Sequence, residues 1–538
     1  MKKQLLQLQL LIFTSAIAFA QPNNVNVSNN TTTARAGEPY LAVNPTNPKN
    51  IVIAWMAIDP STGFVQSIKS KASFDGGLTW GNQKVHPHFG TTWHSGDVNM
   101  QFRNNGTLYL NYIDFTMPPA LDSGGLYITH STNGGITWSS PTQVVDIITD
   151  APGETVLDRP WLAVDNSGTA NDGMFYITTM PAFWNPLPNR SYLKTSIDSG
   201  ASWSAFRYVD TTGYLVGSSI QMALSSPAVT ADGALCIAYL SYVPSQSVYP
   251  KILFAKSYNR GASFQYYGLL VNPQGAPGDD YKEAFHLAAN PANANQLALV
   301  RTGNENGDPD IFIISTNDGG ANWNTMVLVN DDASGKSQDM VWASYAANGD
   351  LVVTWRDRRN GTGTGINQSS DTYCAISHNN GATFEPNFPL SNVTATYDTI
   401  LLDGGNDFMA CELVNDTIYA AWGDVRIPGK IQIYFAKISA STGITTGITA
   451  INPEDQQMLN ISPNPASDKL FISIQNKELK QIEVKIFSES GQEIISKIIS
   501  TNLPQTSLNI SQLATGIYIV QAVADKQTVY NQKIVITK

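Results

Sequence analysis

Short apolar stretches follow one another along the chain, each closed by Gly, Asn, Asp, Ser or Pro. Residues 41–43 are followed by 51–55, 100–102 by 108–112, 162–164 by 174–179, and 227–229 by 235–240. Stretches of this length between turn formers predict strands. The same pairing returns at 286–301, 343–355 and 410–422, which makes seven units. The last part of the chain alternates with a period of two, at 469–474, 482–487, 493–499, 517–522 and 532–536. That pattern predicts a small antiparallel, Ig-like sandwich.

Between the strand pairs one octapeptide pattern recurs six times. It begins at Ser73, Ser131, Ser196, Ser257, Thr316 and Ser377, with spacings of 58, 65, 61, 59 and 61 residues. The first copy reads Ser73-Phe74-Asp75-Gly76-Gly77-Leu78-Thr79-Trp80. Each part suits a turn. Asp or Asn at the third place accepts from backbone N–H groups just ahead. Gly at the fifth place permits a positive φ. Trp or Phe at the eighth place buries a ring between neighbouring sheets. These aspartates are structural, not catalytic. A fixed period of this size predicts a propeller or a solenoid.

The pattern S-x-D-x-G-x-T-W resembles the Asp box of sialidases and other bacterial-neuraminidase repeat proteins, over residues 38–440. The resemblance implies four-stranded propeller blades. About 420 residues over seven units gives about 60 each, the observed spacing, against about 70 over six. The expectation is therefore an all-β chain with a seven-bladed β-propeller, six blades being the alternative and the number usual in sialidases. The seventh unit has no such turn. Residues 24–28 are its predicted fourth strand, which would close the ring and remove an exposed edge.

The ends carry an address. Lys2 and Lys3 precede an apolar stretch to Ala20, and Ala18-Phe19-Ala20 is a small-residue cleavage site, so 1–20 reads as a signal peptide. No later run is long enough for a transmembrane helix. Residues 21–440 are the predicted propeller, 441–457 a polar linker, and 458–538 the sandwich. In the tail, Pro463-Asn464-Pro465, Leu513-Ala514-Thr515-Gly516-Ile517-Tyr518 and the terminal 533–538 strand resemble the C-terminal sorting domain of type IX secretion cargo. This resemblance implies passage to the outside of a Gram-negative cell, with the secretion machinery as partner and the mature protein secreted or held at the surface.

Charge agrees with that division. The net formal charge is −11, with only 14% charged residues. From Leu459 onward there are 8 Lys and 6 acidic residues, whereas residues 21–458 carry 22 basic and 37 acidic ones. An acidic body lacks the basic face that nucleic acid needs. Hydrophobic content of 42% excludes disorder as the main state. Cys236, Cys374 and Cys411 sit in apolar runs and read as buried thiols.

Candidate chemistry gathers on the loops opposite the repeated turns. Of 11 body arginines, seven fall there. The sialidase resemblance implies three arginines gripping a carboxylate, an acid/base carboxyl, and a Tyr nucleophile backed by Glu. Asp158-Arg159-Pro160-Trp161-Leu162 is similar to the stretch carrying the first sialidase arginine, without its Ile. Arg301, Arg359 and Arg426 are candidates to complete the set, and Tyr281 with Glu283 is the nearest Tyr/Glu pair. Trp355-Arg356-Asp357-Arg358-Arg359 and Trp422-Gly423-Asp424-Val425-Arg426 share W-x-D-x-R, which reads as an Asp–Arg pair locking a strand end. His86, His88 and His94, with Asp97 beyond, are a candidate divalent-metal set or a source of a base. The loop from Gly303 through Asp308 and Asp310 is rich in hard oxygen ligands suited to calcium, though no cofactor is required by any of these readings.

Three functions follow as expectations. One is a sialidase-like glycoside hydrolase directed at an acidic sugar in an extracellular glycan or polysaccharide. Another is a non-catalytic propeller that binds glycan or protein. The last is a polysaccharide lyase using His94, His286 and Tyr281.

Overall fold

The computed structural model describes the chain outside residues 1–22, 30–34, 60–64, 117–122, 151–156, 182–189, 211–223, 242–250, 272–283, 333–334, 363–364, 366, 403–405, 442–458, 475–480, 489–492, 501–504 and 525–526. The predicted signal peptide, nearly all of the predicted linker, and Tyr281 and Glu283 lie outside the described residues. The chain divides into two compact units, Met1–Thr446 and Gly447–Lys538.

Among the described residues the first unit contains seven four-stranded antiparallel sheets. The first sheet runs Arg35–Val43, Ile51–Ile58, Gln66–Ser73, Lys84–Val85, and the second His94–Phe102, Leu108–Phe115, Gly124–Ser131, Thr142–Asp146. The third to sixth sheets begin with the inner strands Leu157–Val164, Ser225–Val229, Phe285–Ala289 and Gln338–Tyr345. The seventh consists of Ala410–Val414, Thr417–Asp424 and Gln432–Ser439, with Asn24–Asn26 as its outer strand. Each inner strand packs against the next, and Ala410–Val414 packs against Arg35–Val43, so the sheets form a ring. Short strands pleated between two neighbours are buried on both faces, which is why their sequences are apolar rather than alternating. Leu297–Gly303 is buried along its whole length.

The clasp is antiparallel, with Asn24 opposite Ala436, Val25 opposite Phe435 and Asn26 opposite Tyr434. Val27 N donates to Ile433 O at 2.8 Å, one residue beyond the strand. The Asn24 side chain donates to Leu390 O and accepts from Asn392 N, both at 2.8 Å.

Inner strands are also stitched by side chains that accept from the neighbouring strand's backbone. Asn99 takes Leu162 N at 3.1 Å, Gln101 takes Val164 N at 2.7 Å, and Ser344 takes Leu413 N at 3.1 Å. At the closing seam Glu412 Oε2 takes Val43 N at 3.1 Å. Burial pushes the Glu412 carboxyl up to about 8 against this bond.

The repeated octapeptide folds as one turn in all six places. In the first, Ser73 Oγ donates to Asp75 Oδ1 at 2.8 Å and accepts Gly77 N at 2.8 Å, while Thr79 N donates to Asp75 Oδ1 at 2.9 Å. The fifth-place glycine, Gly77, has φ +90°, and a Cβ on it would lie 2.2 Å from Phe435 Cε1 of the adjacent sheet. Trp80 closes the turn edge-on to Phe435, with ring centroids 5.4 Å apart. Cys236, Cys374 and Cys411 are free and buried.

The second unit pairs a three-stranded sheet, ordered Leu459–Ser462, Lys469–Ile474, Thr506–Asn509, with a four-stranded one ordered Glu493–Ser500, Gln481–Ser488, Gly516–Ala524, Gln527–Ile536. Leu470, Ile472, Val484, Ile486, Val520 and Ile534 fill the space between them. The Pro-Asn-Pro segment ties to the last strand: Asn464 Oδ1 accepts Val535 N and Ala466 N donates to Val535 O, each at 2.8 Å.

Candidate active site at the ring axis

Four inner strands break register near their starts, between Gly37 and Tyr40, Gly96 and Asn99, Asp158 and Trp161, and Asp339 and Trp342. At each break one non-glycine residue takes a positive φ: Glu38 at 50°, Asp97 at 51°, Arg159 at 45° and Met340 at 59°. A bulge of this kind re-aims side chains, and left-handed non-glycine residues persist only where their surroundings hold them. Here they bring a charged layer and an aromatic layer to the axis of the ring.

In the aromatic layer, Tyr40 of the first sheet lies 6.1 Å from Trp161 of the third and 5.7 Å from Trp342 of the sixth, between ring centroids. Trp161 also meets Trp342 at 5.8 Å and Phe408, which leads into the seventh sheet, at 5.0 Å. These sheets are not all neighbours, so the rings meet across the axis. His286 stacks on Trp342 at 4.0 Å, and burial lowers its imidazole to about 3.

The charged layer centres on Arg159, which is buried. Its Nη1 donates to Asp158 Oδ2 at 3.2 Å and its Nη2 to Asp407 Oδ2 at 2.7 Å, again across the ring. Its backbone N donates to Asp97 Oδ2 at 2.9 Å. Burial disfavours the Arg159 charge, but Asp158, Asp407, Asp97 and Glu38 outweigh it and raise the guanidinium above its ordinary range. The Asp158 carboxyl is held well above the usual carboxylate range. Burial is the main cause, Arg159 opposes it, and Asp97 and Asp407 add to it. Four carboxyl groups around one cation favour keeping a proton on one of them.

The structure does not gather the other arginines at Arg159. Arg301 is bound to Glu305 in its own sheet and lies over Phe312. Arg359 donates through Nε and Nη2 to Asp357 Oδ2, reaches Asp331 at 2.7 Å and covers Tyr373. Arg426 forks Asp424, reaches Asn392 at 2.7 Å and covers Tyr434. In both W-x-D-x-R copies the Trp indole donates to the same Asp, at 2.7 and 2.9 Å. Asp339 holds Arg356 and Arg358 together; burial opposes its charge, yet the two guanidinium groups keep its carboxyl far below the usual range.

The histidine trio is likewise divided. His86 is buried against Ser70 Oγ at 3.0 Å and Trp138, and burial lowers it to about 3. His88 pairs with Asp114 at 2.8 Å. His94 Nδ1 accepts from Gln66 N at 3.3 Å. Asp97 belongs to the Arg159 layer. Asp308 accepts Gly335 N, and Asp310 accepts the Asn306 and Asn330 amides, at 2.8, 2.9 and 2.8 Å. Among the described residues no group of three or more His, Cys, Asp or Glu is arranged to hold a metal ion.

Glu38 and Asp407 fall on the predicted loops opposite the repeated turns, whereas Tyr40, Trp342 and Phe408 are members that no linear motif singles out. A signal for three of them exists: Glu38-Pro39-Tyr40, Arg159-Pro160-Trp161 and Met340-Val341-Trp342 occupy the same place in their strands.

Among solved structures, the intramolecular trans-sialidase from Ruminococcus gnavus is similar at TM-score 0.41 and 12% identity, covering 80% of this chain and all of that one. The GH93 α-L-arabinofuranosidase of Fusarium graminearum gives 0.39 and 12%, over 78% and 98%. The NanB sialidase from Streptococcus pneumoniae gives 0.37 and 9%, over 79% and 70%. No curated protein matches the chain. Among the described residues no helix is long and apolar enough to cross a membrane. Residues 460–537 match the secretion system C-terminal sorting domain, so the second unit carries the export address of an extracellular or cell-surface protein.

Proposed function

We propose that the first unit is an extracellular glycoside hydrolase whose reacting groups are the carboxyls around Arg159. The observation that carries this reading is a carboxyl, Asp158, held well above the usual carboxylate range beside a guanidinium shared with Asp407. A raised carboxyl suits a general acid for the leaving oxygen, and a second carboxylate suits a nucleophile or base. Asp158 takes the first role and Asp407 the second, with Asp97 and Asp407 adding to the burial that raises the Asp158 carboxyl.

The sugar's charge is the finer question. An acidic sugar would seat its carboxylate on Arg159 in place of Asp407, whereas an uncharged sugar needs no exchange. Incubation with sialylated, uronate-containing and arabinose-containing oligosaccharides, followed by sugar release, distinguishes them. Asp158→Asn is expected to abolish release while retaining binding. Absence of turnover on every glycan, with binding unchanged in Arg159→Ala, would overturn the reading. Binding without turnover, lost in Arg159→Ala, supports a non-catalytic glycan receptor, a reading favoured by the saturation of Arg159 with protein carboxyls.

A further inference from the structure

We propose that Ser67, His88 and Asp114, with His94, form a second, serine-based hydrolytic centre for carboxylic esters at the seam of the first and second sheets. Ser67 Oγ lies 2.8 Å from His88 Nε2, and His88 Nδ1 lies 2.8 Å from Asp114 Oδ1. Asp114 is wholly buried, and both its oxygens are engaged: Oδ1 also accepts Ser95 Oγ at 2.9 Å and Oδ2 accepts Phe89 N at 2.8 Å. A carboxylate fixed in this way holds the imidazole proton on Nδ1 and leaves Nε2 as the acceptor for the serine hydrogen. A nucleophile within reach of a base, and a base oriented by a third group, is the arrangement that activates a hydroxyl.

The oxygen that develops charge during acyl transfer needs a donor. His94 supplies one. Its Nδ1 accepts the backbone N–H of Gln66, the residue next to Ser67, so its proton resides on Nε2. Burial first, and the neighbouring His88 second, lower its imidazole and keep it neutral. Ser67 and His88 are partly exposed, so both are open to a ligand from outside. The three contributing segments come from the start of a third strand, a loop entering an inner strand, and the end of a second strand. The centre shares no residue with the Arg159 layer, and the inference stands or falls separately from the glycosidase reading.

The reaction is ester hydrolysis. Ser67 Oγ bonds to the carbonyl carbon, its proton passes to His88 Nε2, and the C–O bond to the alcohol breaks with that proton delivered to the leaving oxygen. Water then attacks the acyl-serine through the same imidazole, releasing the carboxylic acid and restoring the hydroxyl.

The full chain is treated with a fluorophosphonate probe and with p-nitrophenyl acetate. The expected result is a phosphonylated peptide containing Ser67 and release of nitrophenol with an initial burst. Ser67→Ala removes the label, and His88→Gln slows acylation by at least about 100-fold with the thermal midpoint of each variant showing a folded protein. Labelling that persists in Ser67→Ala, falls on another residue, or does not exceed that of heat-unfolded protein overturns the proposal.

Discussion

Glu412 offers a test of the ring's electrostatics. It lies on the inner strand of the seventh sheet, and its Oε2 accepts Val43 N at 3.1 Å. Burial raises its carboxyl from 4.5 to about 8. The folded protein therefore holds a proton that the unfolded chain releases. That contribution is fully present below about pH 4.5 and is lost as pH rises through about 8. The shift of roughly 3.5 units corresponds to a ceiling of about 5 kcal/mol at 1.36 kcal/mol per unit. Glu412 keeps part of its surface open, and solvent screening brings the expected difference to about 2 kcal/mol. Glu412→Gln keeps an oxygen for Val43 N–H and cannot ionise. At pH 5 its melting temperature should match the wild type within about 1 °C. At pH 9 it should be higher by about 2–5 °C, at roughly 2 °C per kcal/mol for a unit of this size. Thermal melts of both proteins at pH 5, 7 and 9 are the assay. Parallel curves for wild type and variant across that range would refute the assignment of Glu412 as a buried, proton-holding group.

Arg159→Met leaves Asp158, Asp97, Asp407 and Glu38 without their cation and should cost about 3–5 kcal/mol at pH 7, with much of the loss recovered at pH 4.5, as read by urea unfolding at the two pH values. Gly77→Ala meets both a φ of +90° and the Phe435 ring, so a destabilisation of about 2–4 kcal/mol is expected; Gly168→Ala, at φ +70° with open space around it, should lose only about 1 kcal/mol in the same melts. Asn24→Ala removes contacts to Leu390 and Asn392 and should cost about 1–2 kcal/mol, with limited proteolysis showing earlier cleavage at the Asn24–Asn26 strand. Burial pushes Cys236 and Cys411 up to about 12 and Cys374 well above its usual range, so a thiol reagent at pH 8 should count no free thiol until denaturant is added.

Much of the ring is legible in the sequence because its determinants are local. Each repeated turn needs Ser or Thr, Asp or Asn, and Gly at fixed offsets within eight residues, and the bonds from Ser73, Asp75 and Gly77 join those offsets. The clasp strand is legible for another reason: a sheet lacking one strand and an orphan strand at the far end of the chain imply each other. The site is less legible because its members are brought together by the ring, not by spacing. Arg159 and Asp407 are 248 positions apart and meet only because the third and seventh sheets face one axis. Arg301, Arg359 and Arg426 each pair with an acid within about five positions, whereas Arg159 pairs with the adjacent Asp158 and also with Asp407 across the ring. Arg159 differs because its left-handed φ re-aims it out of its strand, and single-sequence periodicity carries no record of that bulge. Ser67, His88 and Asp114 come from three segments of two sheets, and only His88 stands out along the chain, through its histidine neighbours.

The clasp also sets an order of events in time. Asn24 bonds across 402 positions to Arg426, so nearly the whole first unit must exist before its two ends can meet. Closing so long a loop is slow relative to the local pairing within each sheet. Six sheets can form as their own residues become available, while the seventh waits with an unpaired edge. Until that last pairing the chain is an open arc, with Arg159 and Asp407 on arms free to move apart. The charged centre is thus assembled by the closure itself, and a chain caught before closure lacks that centre and is unprotected at one edge.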